Sequence, residues 1–450
     1  MSAQTQLRAE PSARSPLLER IAAEHAAADA PERAGRRRSL EALLEQGLPT
    51  SRDENWRYSS LRMLEKARFA PPAMRTRVAP SALPGPIAGY LRYVFVDGRL
   101  DPALSAPGAG TAASLVSGAA SVVSGAASPA PGAALPARIQ SPISATHPDA
   151  AFALLNEAFS PEGARLHVRA GAAPACIEIV YVATQPLERG TAYPRLAVDV
   201  EPAARLSLIE RHLSLEPAAS CISAIEVRIG ERALTDHYRV QQLGIGSLWI
   251  DTLATSLERE AQYRLHALQL GSLAGRSTCG VRLAGQGAQL TLHALAVGQR
   301  RQVLDTYALV EHASPDTRTE QSFRGIAAEH ARLGFNGKII VRAGAHGADS
   351  NQSLRGLLAG ADAEIDVRPQ LEIYTDDVRC SHGATAGKLD DNMLFYLLSR
   401  GLERERAMQL LKWAFLEDVV ARIEVAELRR AVERSLAGQL TDGNALQELL

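Results

Sequence analysis

The chain has 450 residues with 49 basic against 50 acidic side chains, a formal net charge of −1, and four cysteines. That length points to two or three packing units rather than one small core, and without a basic excess to neutralise phosphates the charge balance gives no reason to expect a nucleic-acid partner. Cys176, Cys221, Cys279 and Cys380 show no CxxC spacing, which fits reduced thiols better than a disulfide framework, and with no leader and no run near the roughly 18 apolar residues of a membrane span a soluble, cytoplasmic chain is expected.

In chain order, Leu17, Leu18 and Ile21, then Leu40, Leu43 and Leu44, recur at helical spacing and predict two short amphipathic helices within residues 15–47. The polar segment that follows carries Trp56 and Tyr58, which are expected to pin it to a neighbouring surface. Tyr93-Val94-Phe95-Val96 running into Asp97-Gly98 reads as a strand and a turn. Residues 101–136 are dominated by Ala, Ser, Gly and Pro and offer too few large side chains to offset the entropy of ordering, so a disordered loop is expected there. Gly108-Ala109-Gly110 within it is a chance echo of the dinucleotide fingerprint, with no acidic residue at the required offset. A helix is expected over 150–159.

From 163 to 376 segments of period two follow one another. Leu265-His266-Ala267-Leu268 matches Leu292-His293-Ala294-Leu295, Tyr238-Arg239 matches Tyr263-Arg264, and Val341-Arg342 matches Val367-Arg368, all at a step of about 26 residues. Such a repeat marks a solenoid whose turns bury their apolar faces against one another, a parallel β-helix in its simplest form. An antiparallel sandwich is the competing reading. In a solenoid Cys279 falls about four turns from Cys380, roughly 19 Å away, so the two cannot share one cluster; Cys176, Cys221 and Cys279 read as small buried side chains.

Arg379-Cys380-Ser381-His382-Gly383-Ala384-Thr385 closes the β-rich region and sets a thiol and an imidazole two residues apart. On a strand both address one side. A structural zinc or an iron–sulfur cluster needs about four ligands, so the pair is either half of a shared site or a buried hydrophobe beside a satisfied histidine. Arg379 and Lys388 favour the thiolate if they face it. Beyond Lys388, Asp390 or Asp391 caps a helix through Met393, Phe395 and Tyr396 that Gly401 stops. A longer helix follows, with Ala407, Met408, Leu411, Ala414, Phe415 and Val419 on one face. This tail is expected to meet a partner through Met393, Phe395, Tyr396, Met408, Leu411 and Phe415. Gly387-Lys388 is no phosphate loop, because His382 and Leu389 stand where glycine and Ser or Thr are needed; any ATP hydrolysis comes from another chain.

Phe335-Asn336-Gly337-Lys338-Ile339, Asp377 through Thr385, Asp391 with Phe395-Tyr396-Leu397, and Ser399-Arg400-Gly401 closely resemble the SufD family of SUF iron–sulfur cluster assembly subunits. Glu54-Asn55-Trp56-Arg57-Tyr58 and Leu155-Asn156-Glu157-Ala158-Phe159 fit the same family. The sister SufB family typically has Glu where this chain has Gly383. The resemblance implies a mainly β fold, a right-handed parallel β-helix core over 161–387, between a helical domain at 1–160 and a C-terminal helical domain at 388–450. It implies a non-catalytic scaffold that pairs with a SufB-like paralogue, binds a SufC-like ATPase through its C-terminal helices, and homodimerises when alone. His382 then matches the position associated with a transient iron–sulfur cluster shared with the partner, and Cys380 is a second ligand or a structural thiol. The alternative, a β-helix enzyme acting on carbohydrate, needs columns of carboxylates beside an aromatic groove, and aromatics are only 5% of residues.

Overall fold

The computed structural model describes residues 15–28, 34–59, 61–106, 113–117, 120–122, 148–171 and 173–440. Two long sheets face each other along a parallel β-solenoid of about eight turns. The first sheet stacks Ala175–Ala183, Arg205–Ser214, Leu234–Gln242, Gln262–Gln269, Gln289–Gly298, Arg318–Ala327, Asp349–Leu358 and Arg379–Gly387. The second stacks Ala164–Val168, Arg195–Val200, Ser220–Ile229, Leu248–Leu257, Ala274–Leu283, Val303–His312, Arg332–Val341 and Glu364–Ile373. Alternate residues of both sheets turn inward, so Leu208, Leu265, Leu292, Val227, Leu253 and Val281 fill one continuous core. The parallel solenoid displaces the antiparallel sandwich as the reading of the period-two segments.

The turns of one edge are themselves a ladder. Ala203, Arg232, Glu260, Asp316 and Asp377 all adopt left-handed φ of 54–59°, and Ala203, Arg232, Glu260 and Asp316 each donate a backbone N–H to a carbonyl of the next turn. Asp377 occupies the last such turn.

Helices close the outer faces. Pro16–Ala27 (α1), Ala34–Gln46 (α2) and Ala151–Phe159 (α3) lie on the second sheet, where Leu18, Ile21, Leu43, Phe152 and Leu155 meet Ile222, Leu248 and Ile250. Trp56 is buried among them as its sequence setting predicts: its indole N–H donates to Asp149, and the Arg276 guanidinium lies 4.3 Å from its ring centroid. Asp391–Ser399 (α4), Arg404–Val420 (α5) and Ala426–Leu440 (α6) follow the last strand. Leu416, Val419, Val420, Leu428, Val432 and Leu436 cover Ile209, Val240, Leu268, Leu295 and Ile326 on the outside of the first sheet.

Three sequence expectations need correction. Within the stretch expected to be a loop, Ala113–Ser117 forms a strand against Ala164–Val168, with Ala113 and Leu115 buried; most of 107–136 lies outside the described residues. The buried face of α5 is carried by Ala407, Leu416, Val419 and Val420, while Met408, Leu411 and Phe415 are half-buried and Ala414 is exposed. Paired residues on adjacent turns stand 26–32 positions apart, from Leu248 with Ala274 to Arg332 with Glu364, rather than at a constant step of about 26.

Candidate functional site

The two ends of the solenoid differ. At the start, Leu91–Val96 and Ala113–Ser117 add outer strands to the two sheets. At the finish, Arg379–Gly387 pairs with Asp349–Leu358 and Glu364–Ile373 pairs with Arg332–Val341, and among the described residues nothing pairs with their outer edges. An exposed edge is a row of backbone donors and acceptors ready to receive another chain.

Cys380 and His382 stand on this terminal strand, in register with Ser350 and Gln352. Both belong to columns whose earlier members face the solenoid interior: Tyr263, Leu290, Thr319 and Ser350 lead to Cys380, and Leu265, Leu292, Gln321 and Gln352 lead to His382. Every preceding member is buried. With no rung above, Cys380 is half-buried against the core and His382 is exposed. The strand therefore leaves a thiol and an imidazole uncovered on the last rung, both on its interior-facing side, as the alternation of an extended chain requires.

The charges beside the thiol do not activate it. Arg379 and Lys388 are exposed, while burial, and then the nearby Asp349 carboxylate, push the Cys380 thiol upward. In the free chain Cys380 is a neutral thiol at neutral pH, and a metal would have to displace its proton. Cys279 faces the core three rungs short of the last strand of the second sheet, so roughly 14 Å of stacked strands separate it from that end. Burial raises its thiol to about 12, and Cys221 is buried and raised as well. Cys176 is half-buried, with its thiol also shifted up by desolvation. Among the described residues no three His, Cys, Asp or Glu side chains group closely enough to hold a metal ion.

A second surface adjoins the first. Directly after the terminal strand, α4 buries Leu394 and leaves Met393, Phe395 and Tyr396 58%, 72% and 56% exposed, the largest apolar cluster on the described surface to come from one helix. Asp390 caps this helix through the backbone N–H groups of Asn392 and Met393, and Arg400 stacks 5.2 Å from the Tyr396 ring centroid. A wide cleft of about 2350 Å³ lies elsewhere, between the N-terminal helices and the second sheet. Arg57, Arg62, Glu65, Arg301, Asp362 and Glu364 line it, and neither Cys380 nor His382 does, so volume alone does not mark the site.

Residues 182–415 match the family described as SUF system FeS cluster assembly, SufBD core domain. The chain is 30% identical over 410 residues to the iron–sulfur cluster assembly protein SufD of Escherichia coli, covering 90% of this chain and 92% of that one. The chain belongs to the SufBD family. Within it, an iron–sulfur cluster assembly SufBD family protein of Synechocystis is 28% identical over 400 residues, 85% of each chain. The chloroplastic protein ABCI7 of Arabidopsis thaliana is 26% identical over 250 residues, 55% of this chain and 53% of its own length. This SufBD chain is accordingly a SufD-like subunit with a role in iron–sulfur cluster assembly. No helix among its described residues is long and apolar enough to cross a membrane.

The sequence singles out Cys380 and His382 as a pair but not the rungs beneath them. Thr319-Glu320-Gln321-Ser322-Phe323, Ser350-Asn351-Gln352-Ser353-Leu354 and Cys380-Ser381-His382-Gly383-Ala384 are stacked position for position. They share a small/polar, polar, amide-or-imidazole pattern, but at steps of 31 and 30 residues, longer than the repeat of about 26 legible in the sequence.

Proposed function

We propose that this chain is a non-catalytic scaffold subunit whose open solenoid end pairs edge to edge with a SufB-like chain, where His382, with Cys380 beside it, contributes ligands to a nascent iron–sulfur cluster held between the two. The observation that carries this reading is the terminal strand itself, an edge unpaired among the described residues that leaves a thiol and an imidazole uncovered side by side. Two ligands are half of a coordination sphere, and the edge that exposes them is also the edge that recruits a partner. The cluster is cargo, assembled and passed on. In the absence of the paralogue, the same edges pair between two copies of this chain. Anaerobic reconstitution of the complex with His382→Ala tests the ligand assignment.

The C-terminal helices serve a SufC-like ATPase. Met393, Phe395 and Tyr396 are its anchors, joined by the half-buried Met408 and Leu411, whereas Phe415 packs largely against the chain's own core. Removing the whole tail would strip α5 and α6 from Leu268, Leu295 and Ile326 and confound binding with unfolding. Point changes on α4 avoid this. Phe395→Ala with Tyr396→Ala is expected to weaken ATPase binding by about 2–4 kcal/mol, roughly 30-fold to 1000-fold, with the thermal melt of the chain unchanged. Titration calorimetry showing undiminished affinity would remove α4 from the contact.

A further inference from the structure

The two rungs before the last replace an apolar column by a polar one. Leu265 and Leu292 give way to Gln321 and Gln352 directly before His382. Gln352 is 1% exposed. Its Nε2 donates to the Gln321 Oε1 at 3.3 Å and to the Gly337 carbonyl at 3.1 Å. Those two acceptors fix the orientation of the amide, because reversing it would set oxygen against oxygen. The Gln352 Oε1 therefore faces away from both, and it is buried with no hydrogen-bond partner among the described residues.

Gly337 makes room for this arrangement. A Cβ there would stand 2.9 Å from the Gln352 Nε2 and 3.2 Å from the Phe335 ring. So the glycine of the Phe335-Asn336-Gly337 motif lets a side chain of the first sheet reach the backbone of the second. Ser350, the residue in register beneath Cys380, likewise has a buried Oγ without a partner. Buried polar atoms are normally satisfied, and an orphan at the mouth of a site marks a place where a donor arrives. The side chain one rung above Gln352, on the same side and about 4.8 Å along the stack, is His382, which is exposed and in this structure makes no hydrogen bond to that oxygen.

We propose that Gln352 is a positioning residue for His382: the exposed imidazole turns about its side-chain bonds to bring one ring N–H onto the Gln352 Oε1, which leaves the other nitrogen's lone pair directed away from the solenoid core. This rests on the reading of His382 as a cluster ligand. A ligating histidine whose second nitrogen donates to a fixed acceptor is locked in tautomer and ring orientation. The amide supplies that acceptor without adding charge to the site.

The test is the tautomer of His382 in the full chain, free of metal, labelled with 15N in its imidazoles and observed at alkaline pH. The His382 signals are identified by their loss in His382→Ala. Wild type is expected to hold one ring nitrogen protonated in nearly all molecules. Gln352→Met, which keeps length and loses the acceptor, is expected to release both tautomers, and Gln352→Glu, which keeps an acceptor, is expected to retain one. A tautomer mixture in wild type, an unchanged spectrum in Gln352→Met, or a mixture in Gln352→Glu would overturn the assignment. If a variant does not fold, the wild-type spectrum still decides. A single tautomer that depends on Gln352, together with full cluster assembly by His382→Ala, would keep the positioning role and remove the ligand reading.

Discussion

Arg239→Met is expected to destabilise the fold by about 3–5 kcal/mol, the cost of stranding buried charges whose partner is gone. Arg239 points into the solenoid, where its Nε donates to the Glu210 Oε2 at 2.9 Å and its two terminal nitrogens grip both Asp251 oxygens at 2.6 and 2.9 Å. All three side chains are at most 6% exposed. Burial alone would push the Glu210 carboxyl upward, but Arg239 and then His237 hold it well below the usual carboxylate range. Ser223 adds a 2.6 Å hydrogen bond to Asp251. With methionine at 239 two carboxylates remain facing each other across a core with no cation between them. Replacing Glu210 and Asp251 by leucine in the same chain is expected to recover most of the loss, because a well-packed apolar group can stand in for a complete buried ion triad. Urea unfolding measures both, and a loss below about 1 kcal/mol in Arg239→Met would contradict the geometry.

Acidification is expected to unfold the chain well before its carboxylates are neutralised. Burial, followed by neighbouring positive charge, pushes His266 down to about 3 and His293 down to about 4, and burial pushes His312 down to about 4 against the pull of Asp349. The His266 and His293 rings lie 5.1 Å apart with their planes tilted by 51°, near Arg422, Arg264, Arg324 and Asp418. The neutral His312 ring is bound by the hydroxyls of Thr317 and Thr319 at 2.8 and 3.0 Å. A histidine with a depressed folded-state pKa is neutral in the fold and charges first in the unfolded chain. Its stabilising contribution is complete above the unfolded value of about 6.5 and falls as pH drops from there toward the folded value. Each such group contributes a slope of about 1.4 kcal/mol per pH unit, or about 4 kcal/mol per unit for the three together. Denaturant midpoints should therefore be flat above neutrality and drop steeply between about pH 6 and pH 4.5. A flat profile through that window would mean that these rings are solvated.

The sequence disclosed the solenoid through Leu265-His266-Ala267-Leu268 and Leu292-His293-Ala294-Leu295, which are paired residue for residue. Tyr238 pairs with His266 rather than Tyr263, and Val341 pairs with Ile373 rather than standing a turn from Val367. Those two likenesses are out of register because turn length varies along the rod, so identity at a fixed step fails where alternation of inward and outward side chains succeeds. The face of α5 was misjudged for a related reason: helical periodicity cannot say which end of a helix meets the sheet, and here Leu416, Val419 and Val420 near its C-terminus do. Cys380 and His382 were legible as a pair because alternation on a strand places i and i+2 together. Gln352 was not, because its neighbour in space lies 30 positions away and its significance depends on an oxygen that only the folded core leaves unpartnered.

The central claim is that the exposed imidazole at the end of the rod holds part of a cluster that this chain shares with another. Anaerobic reconstitution of the chain with a SufB-like subunit and the ATPase, followed by visible absorption and iron content, compares wild type with His382→Ala directly. A drop in assembled cluster of about tenfold or more is expected, with complex formation intact, because His382 is exposed and supports no packing. Equal iron content and equal absorbance in the variant would contradict the account.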